Sequence, residues 1–517
     1  MSVYQRVFPE ILLVALFLLH TFFFSLAGII SPGRMRVLGV DPICYFSYLP
    51  TLLLDRDLDF ENEYLALDDS GVLVQYPLTP LGRRPNGFSI GPSLAVSPFY
   101  LSAHGFLKLT GKGPADGLSP PYQVSCFLGI ACYSLAGLIL LFHWAKIFFS
   151  PLVAFVGTAL AWFSSVAVFY AYPITFMPHA ISSFFVLLFL YYAEKTREDG
   201  RGRRWILLGL FAGVMTLMRW QNVLFSLYLL PEIRGFRNKT IHASRIVLFL
   251  FALVLVFFPQ MIVWKRLYGQ FLTVPQGGGF LVWTRPRILS ILFSTFNGLF
   301  SWTPICLLGV LGLFPGMREP ETRQAAKLLL IMFLLQLYVN SAVFDWHGSW
   351  GFGMRRFMDC LPIFVLGICS LLKLAERKKY LLLLSLGLCL FALWNYLFLA
   401  QYYLHLVAWN RPLTFHEMVT DKLHLYASME RRSLVNTARV SAEQGHLDDA
   451  DKATLLAQEI DPNHADIYFT AGRIAASLGE TERALAFYKE ALRLGPGDRD
   501  VMRALTALRL QRDGLHK

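Results

Sequence analysis

Residues 205–231 read WILLGLFAGVMTLMRWQNVLFSLYLLP. The run is long enough to cross a bilayer, which takes roughly 20 apolar residues. Yet Arg219 stands near its middle, followed by Gln221 and Asn222. Both flanking loops are basic: KTREDGRGRR at 195–204 and EIRGFRNKTIHASR at 232–245. Short basic loops stay on the cytoplasmic side, so a single crossing would leave one of them on the wrong face. The stretch is therefore expected to form two short helices in a shallow hairpin from the cytoplasmic side, turning at residues 219–222. Irregular backbone and an arginine at that depth are tolerated only inside protein or beside a wet cavity.

The rest of the chain fits around that hairpin. Of its residues, 55% are hydrophobic and only 16% charged, where a soluble domain carries about a quarter charged residues. Further apolar runs lie at 7–30, 122–145, 151–170, 176–193, 244–264, 289–314, 326–344, 359–373 and 380–404. With the hairpin they predict an all-α polytopic membrane protein of about eleven membrane segments. The first run, Val7 to Ile30, is too long for the apolar core of a signal peptide and reads as an uncleaved span. MREPETRQAAK (317–327) and KLAERKK (373–379) join the basic cytoplasmic loops. The N-terminus is then inside. Loops 31–121, 171–175, 265–288 and 345–358 are outside, as is the tail from about residue 405. SIGPSLAVSPFYLSAHGFLKL (89–109), broken by prolines and glycines, reads as a re-entrant or interfacial helix pair. The net charge of +12 belongs to the cytoplasmic loops and gives no reason to expect a nucleic-acid partner. The seven cysteines form no CxxC and read as small packing residues, with Cys44 and Cys360 the pair considered for a bridge.

From residue 431 the chain turns polar and alanine-rich, and it repeats. Gly445 recurs as Gly479, Ala450 as Ala484, Ala457 as Ala491 and Pro462 as Pro496. That spacing is the period of a tetratricopeptide repeat. The expected organisation is a membrane domain at 1–405, a linker at 406–430 and a small α-helical repeat module at 431–517. A short module of this kind leans on a neighbouring domain or a protein partner.

The candidate site residues all fall on the outer side. Asp41 stands alone among apolar and aromatic residues in GVDPICYFSYLP. It suits a proton acceptor at the membrane surface, and equally a helix N-cap. Asp55, Asp57, Asp59, Glu61 and Glu63 alternate. They read as a solvated acidic face or, less completely, as a calcium loop lacking its glycine and terminal glutamate. His179, after Pro178, is either an interfacial helix start or a hydrogen-bonding group near a site. Arg219 cannot lose its proton, so it needs an acidic partner or an anionic ligand. KRLYGQFLTVPQGGGFLVWTRP (265–286) reads as a mobile lid or a connector, and Pro304 in FNGLFSWTP should kink its span. DWHGSWGFGMRRFMD (345–359) brings Arg355 and Arg356, whose planar forks suit phosphate. It also brings His347, and Trp350 as an interfacial or sugar-stacking ring. Its bland reading is an aromatic belt with snorkelling arginines.

Together VDPICYFSYL, DRDLDFENEY, RPNGFSIGPSLAVSPFYL, FNGLFSWTP and WHGSWGFGMRRFMDCLP resemble the GT-C superfamily of membrane glycosyltransferases. They look most like the bacterial members related to protein O-mannosyltransferases and polyprenyl-phosphate-sugar enzymes. The resemblance spans about residues 1–405 and implies a helical membrane domain whose first outer loop supplies an acid. It also implies sugar transfer from a polyprenyl-phosphate carrier to a glycan, lipid or protein acceptor at the outer face of a bacterial inner membrane. Asp41 then matches the acid as general base, and Arg355, Arg356 or Arg219 holds the carrier phosphate. Relatives often carry a second acid directly after the first; Pro42 stands there here, which leaves a divalent cation an open question. The rival readings are an O-antigen-ligase- or polymerase-like transferase using Arg355, Arg356 and His347, a lipid-linked-sugar transporter, and a membrane scaffold presenting the repeats.

Overall fold

The computed structural model describes residues 3–30, 36–171, 176–234, 243–348, 351–408 and 411–515. Among them the regular elements are all helical, with one isolated antiparallel bridge between Leu281 and Val343. Among the described residues, five helices are long and apolar enough to cross a membrane: Pro120–Ala145, Ala243–Tyr268, Arg323–Ala342, Arg355–Arg377 and Leu381–Tyr403. Shorter apolar helices lie at Phe8–Phe23, Pro151–Phe163 and Ile305–Gly316. The chain divides into two compact units. One comprises residues 1–288, 303–346 and 355–392, the other 289–302, 347–354 and 393–517.

In the first unit, burial separates central from peripheral spans. The apolar window of Arg355–Arg377 is 83% buried, that of Ala243–Tyr268 only 22%. The latter turns Val247, Phe251, Val254, Leu255 and Phe258 outward, as a lipid-facing helix does. Its inner face meets Gly202–Met218 at close range. A Cβ at Gly209 or Gly213 would collide with its backbone, so the small-xxx-small spacing permits this helix contact.

The hairpin is present. The helix Gly202–Met218 ends at Arg219, which adopts an extended conformation (φ −150°, ψ 123°), and a 3-10 helix Trp220–Leu229 follows. The two ends come back together, where buried Arg204 grips Glu232 with two hydrogen bonds of 2.6 and 3.0 Å. A single crossing would hold those residues a membrane apart. Its first arm is seventeen α-helical residues long, a rise of about 25 Å.

Other expectations change. Residues 89–109 form one helix, Gly91–Thr110, rather than a pair. Pro92 sits in the first turn, where no backbone donor is needed, and Pro98 removes only one bond further in. The run 289–314 is split into Ile288–Phe293, Leu299–Trp302 and Ile305–Gly316. The breaks fall where Asn297 takes a left-handed conformation (φ 59°) and at Pro304. Cys44 and Cys360 are both buried free thiols, so no bridge joins them.

The second unit carries the repeat. Helices Leu447–Ile460 and Thr481–Leu494 start and stop at the same repeat positions. The recurring glycines precede them: Gly445 and Gly479 adopt φ 84° and 78°, a conformation side chains resist, so each ends a helix and starts the turn to the next. Ahead of the repeats, Arg411 is buried and grips Glu417 with bonds of 2.5 and 2.8 Å. Asp421 receives Arg431 and lies 3.5 Å from His464 Nε2.

Candidate active site

A cavity of about 470 Å³ opens in the first unit. Asp41, His179, Arg219, Asp345, Arg355 and Arg356 all line it. These residues come from five places in the chain, and each is set by local structure.

Asp41 lies in the first turn of the helix Val40–Pro50, but Gly39 is the N-cap (φ 89°) and Asp41 caps nothing. Its carboxylate turns instead to Arg355, with Nη2 2.7 Å from Oδ2. Arg355 and Arg356 begin the 3-10 turn Arg355–Cys360, which tightens the entry to the helix Leu361–Arg377. Successive residues on that turn point apart. Arg356 donates from Nη2 to the Asp345 carbonyl at 2.8 Å and faces the Asp345 carboxylate at 3.5 Å. Asp359, later on the same turn and 2% exposed, reaches Arg219 at 2.8 Å.

Arg219 is held on several sides. Besides Asp359, it donates to the Arg356 carbonyl at 3.4 Å. With its amide oxygen turned to the guanidinium, Gln221 accepts from Nε at 3.2 Å and Nη2 at 2.8 Å. Gln336 fixes the Gln221 backbone carbonyl at 3.0 Å. Asn222 reaches across to Ser182 at 2.8 Å. The polar break in the hairpin thus becomes the floor of the cavity. His179, first residue of His179–Lys195, is buried and packs edge-on against Tyr170 at 4.9 Å.

One wall comes from the segment read as lid or connector. Val282 donates to the Ala342 carbonyl at 2.7 Å, and Phe344 to the Phe280 carbonyl at 3.0 Å. Gln276 donates to the Gly87 carbonyl at 2.6 Å. Phe280, Trp283, Trp220 and Phe88 supply apolar and aromatic lining. The sequence left open whether Asp345 and Asp359 pin the arginines, and gave no role to Gln221 or Trp283. The signal for Gln221 was present in its adjacency to Arg219; the others needed the chain path.

One of the predicted residues belongs to the other unit. His347 belongs to the second unit, where its ring stacks on Phe296 at 4.2 Å and Asn297 donates to its carbonyl. Trp350 lies outside the described residues. Among the described residues, His416, Asp421 and Asp461 bring possible metal ligands within 4.8 Å of one another. Arg431 already bridges both carboxylates there, at 3.1 and 2.6 Å, and supplies the positive charge.

The cavity therefore sets three guanidinium groups against three carboxylates, with Asp359 behind the wall and Asp41 and Asp345 in it. Such forks recognise phosphate or carboxylate oxygens in pairs. A carboxylate among them can take a proton once its own guanidinium partner is drawn off.

The fold and site define a polytopic helical membrane protein with an arginine-rich cavity. Residues 122–264 match the family model described as dolichyl-phosphate-mannose-protein mannosyltransferase. That match supports the GT-C resemblance and includes His179 and Arg219; Asp41, Arg355 and Arg356 lie beyond it. No curated protein matches the chain. Among solved structures, the chain is similar to ArnT from Cupriavidus metallidurans bound to undecaprenyl phosphate. The identity is 15% and the TM-score 0.49, over 94% of this chain and 80% of that one.

Proposed function

We propose that the protein moves a sugar from a polyprenyl-phosphate carrier to an acceptor at the outer face of a bacterial inner membrane. The observation that carries this reading is the gathering of Asp41, Arg219, Arg355 and Arg356 around one cavity. Together they provide a base and a clamp for an anionic leaving group.

In this mechanism the acceptor hydroxyl attacks the anomeric carbon as the bond from that carbon to the phosphate oxygen breaks. Asp41 takes the hydroxyl proton. The departing polyprenyl phosphate carries more negative charge than the donor did, and Arg355 and Arg356 stabilise that charge as it develops. Arg219, locked by Asp359 and Gln221, fixes the floor and adds positive potential. The aromatic wall of Trp220 and Trp283 suits the face of a sugar ring. The repeat module, on the same outer side, is a tetratricopeptide-like surface for a protein partner. An O-antigen-ligase-like transferase would instead use Arg355, Arg356 and His347 and leave Asp41 dispensable.

The test compares cell-surface glycans and lipid-linked sugars by mass spectrometry in cells carrying wild type, Asp41→Asn or no protein. The expected result is loss of one glycosylated product, and accumulation of its lipid-linked donor, in the last two. Full product formation by Asp41→Asn would remove Asp41 as the base.

A further inference from the structure

We propose that Arg355 is a gate. Its contact with Asp41 masks the carboxylate, and an incoming phosphate draws it away, so that Asp41 becomes competent as a base only when the donor is bound. This rests on the function proposed above and adds an order of events to it.

The geometry separates the three arginines. Arg219 is anchored by Asp359, a carbonyl and Gln221, and its carboxylate partner is 2% exposed. Arg356 is tied to the Asp345 carbonyl at 2.8 Å. Arg355 is tied to Asp41, whose side chain is 31% exposed, and among the described residues its other side-chain hydrogen bond goes to the Met177 thioether at 3.7 Å. A thioether is a weak acceptor, so Arg355 can leave it at little cost. Asp41 has the opposite problem. A carboxylate oxygen accepting a 2.7 Å bond from a guanidinium has that lone pair occupied, and a hydroxyl cannot deliver its proton there until the guanidinium moves. A phosphate offers Arg355 two oxygens for its fork in place of one. The exchange satisfies Arg355 and frees Asp41 in one movement.

The same exchange resets the site. Asp41 is protonated at transfer and has no hold on Arg355 while the product phosphate is in place. When Asp41 gives its proton to water it competes for Arg355 again, which favours release of the lipid phosphate. Asp41 is thus both the base and a competitor of the phosphate for one guanidinium.

Competition has a counterintuitive consequence for binding. The affinity of undecaprenyl phosphate is measured with the purified full-length protein in detergent, for wild type, Asp41→Asn, Arg355→Gln and the double variant. Asp41→Asn should bind about fivefold tighter, the equivalent of one modest ion pair removed from competition. Arg355→Gln should bind more weakly, and in its background Asp41→Asn should change little. If Arg355→Gln does not fold, Arg355→Lys takes its place, and the tightening should shrink. Unchanged or weaker binding by Asp41→Asn overturns the gate. So does equal tightening in both backgrounds, which charge removal alone would give. Binding by wild type without the coupling overturns the gate and leaves the proposed function standing; no binding by wild type overturns both.

Discussion

Arg219 and Asp359 lie 140 residues apart in the chain and meet at 2.8 Å with little exposure on either side. The pair joins the turn of the hairpin to the turn that carries Arg355 and Arg356. It therefore fixes the floor of the cavity against its cationic wall.

Breaking that pair should be costly. Removing one partner leaves a buried charge without compensation, a loss of about 3–5 kcal/mol. Asp359→Ala should lower the unfolding midpoint of the detergent-purified protein sharply, whereas Arg219→Met with Asp359→Leu should recover much of it. Equal loss in the single and double variants would mean that the pair is not what the site leans on.

The hairpin makes a topological prediction. Single cysteines placed at Arg201 and Glu232, in a background whose native cysteines are replaced, should react with a membrane-impermeant thiol reagent from the same side. A reporter fused after Lys517 should be active on the opposite side. Labelling of the two cysteines from different faces would replace the hairpin with a crossing.

The joint ahead of the repeats should be acid-sensitive. Burial alone would raise the Asp421 carboxyl, but His464 lying 3.5 Å away and the hydrogen bonds and charge of Arg431 hold it well below the usual range. For Glu417 burial likewise pushes upward and Arg411 wins, holding it low. Carboxyls held low in the fold stabilise it above their unfolded pKa of about 4 and lose that contribution as pH falls through the folded value. The second unit should therefore weaken below about pH 4, read as loss of helical signal. Arg431→Gln should start less stable at neutral pH and show a smaller acid-side decline.

Glu63 predicts the reverse dependence in the first outer loop. It is fully buried, neither oxygen meets a donor among the described residues, and burial followed by the charges of Asp55 and Asp57 pushes its pKa up to about 8. An acid raised in the fold stabilises it most below the unfolded value and loses that contribution as pH rises through the folded one. Wild type should lose stability as pH rises from about 4.5 to about 8, and Glu63→Gln should flatten that slope. An identical slope in both would mean that Glu63 is ionised without penalty.

The acidic series around Glu63 illustrates how far the sequence could be read. Alternation placed its carboxylates on one face or in one loop. The chain instead runs a left-handed kink at Arg56 and Leu58 into the short helix Glu61–Leu67, which buries one acid and exposes others. The proline-broken run at 89–109 was misread in a similar way, because the cost of Pro98 is set by the packing around the helix and is not written in the motif.

Period, charge and length are local quantities, and they were enough for much of the protein. The apolar runs, the basic loops on both sides of 205–231 and the glycines at 445 and 479 determined a helical membrane chain with a hairpin and a repeated tail. They did so because hydrogen bonding in lipid, loop charge and backbone conformation act over a few residues at a time. The pairings Asp41 with Arg355, Arg219 with Asp359 and Arg356 with Asp345 were decided only by the tertiary structure. Any of these carboxylates satisfies any of these arginines in sequence. Which of them meet depends on how turns far apart in the chain are packed against one another, and on which charges that packing leaves buried and in need of a partner.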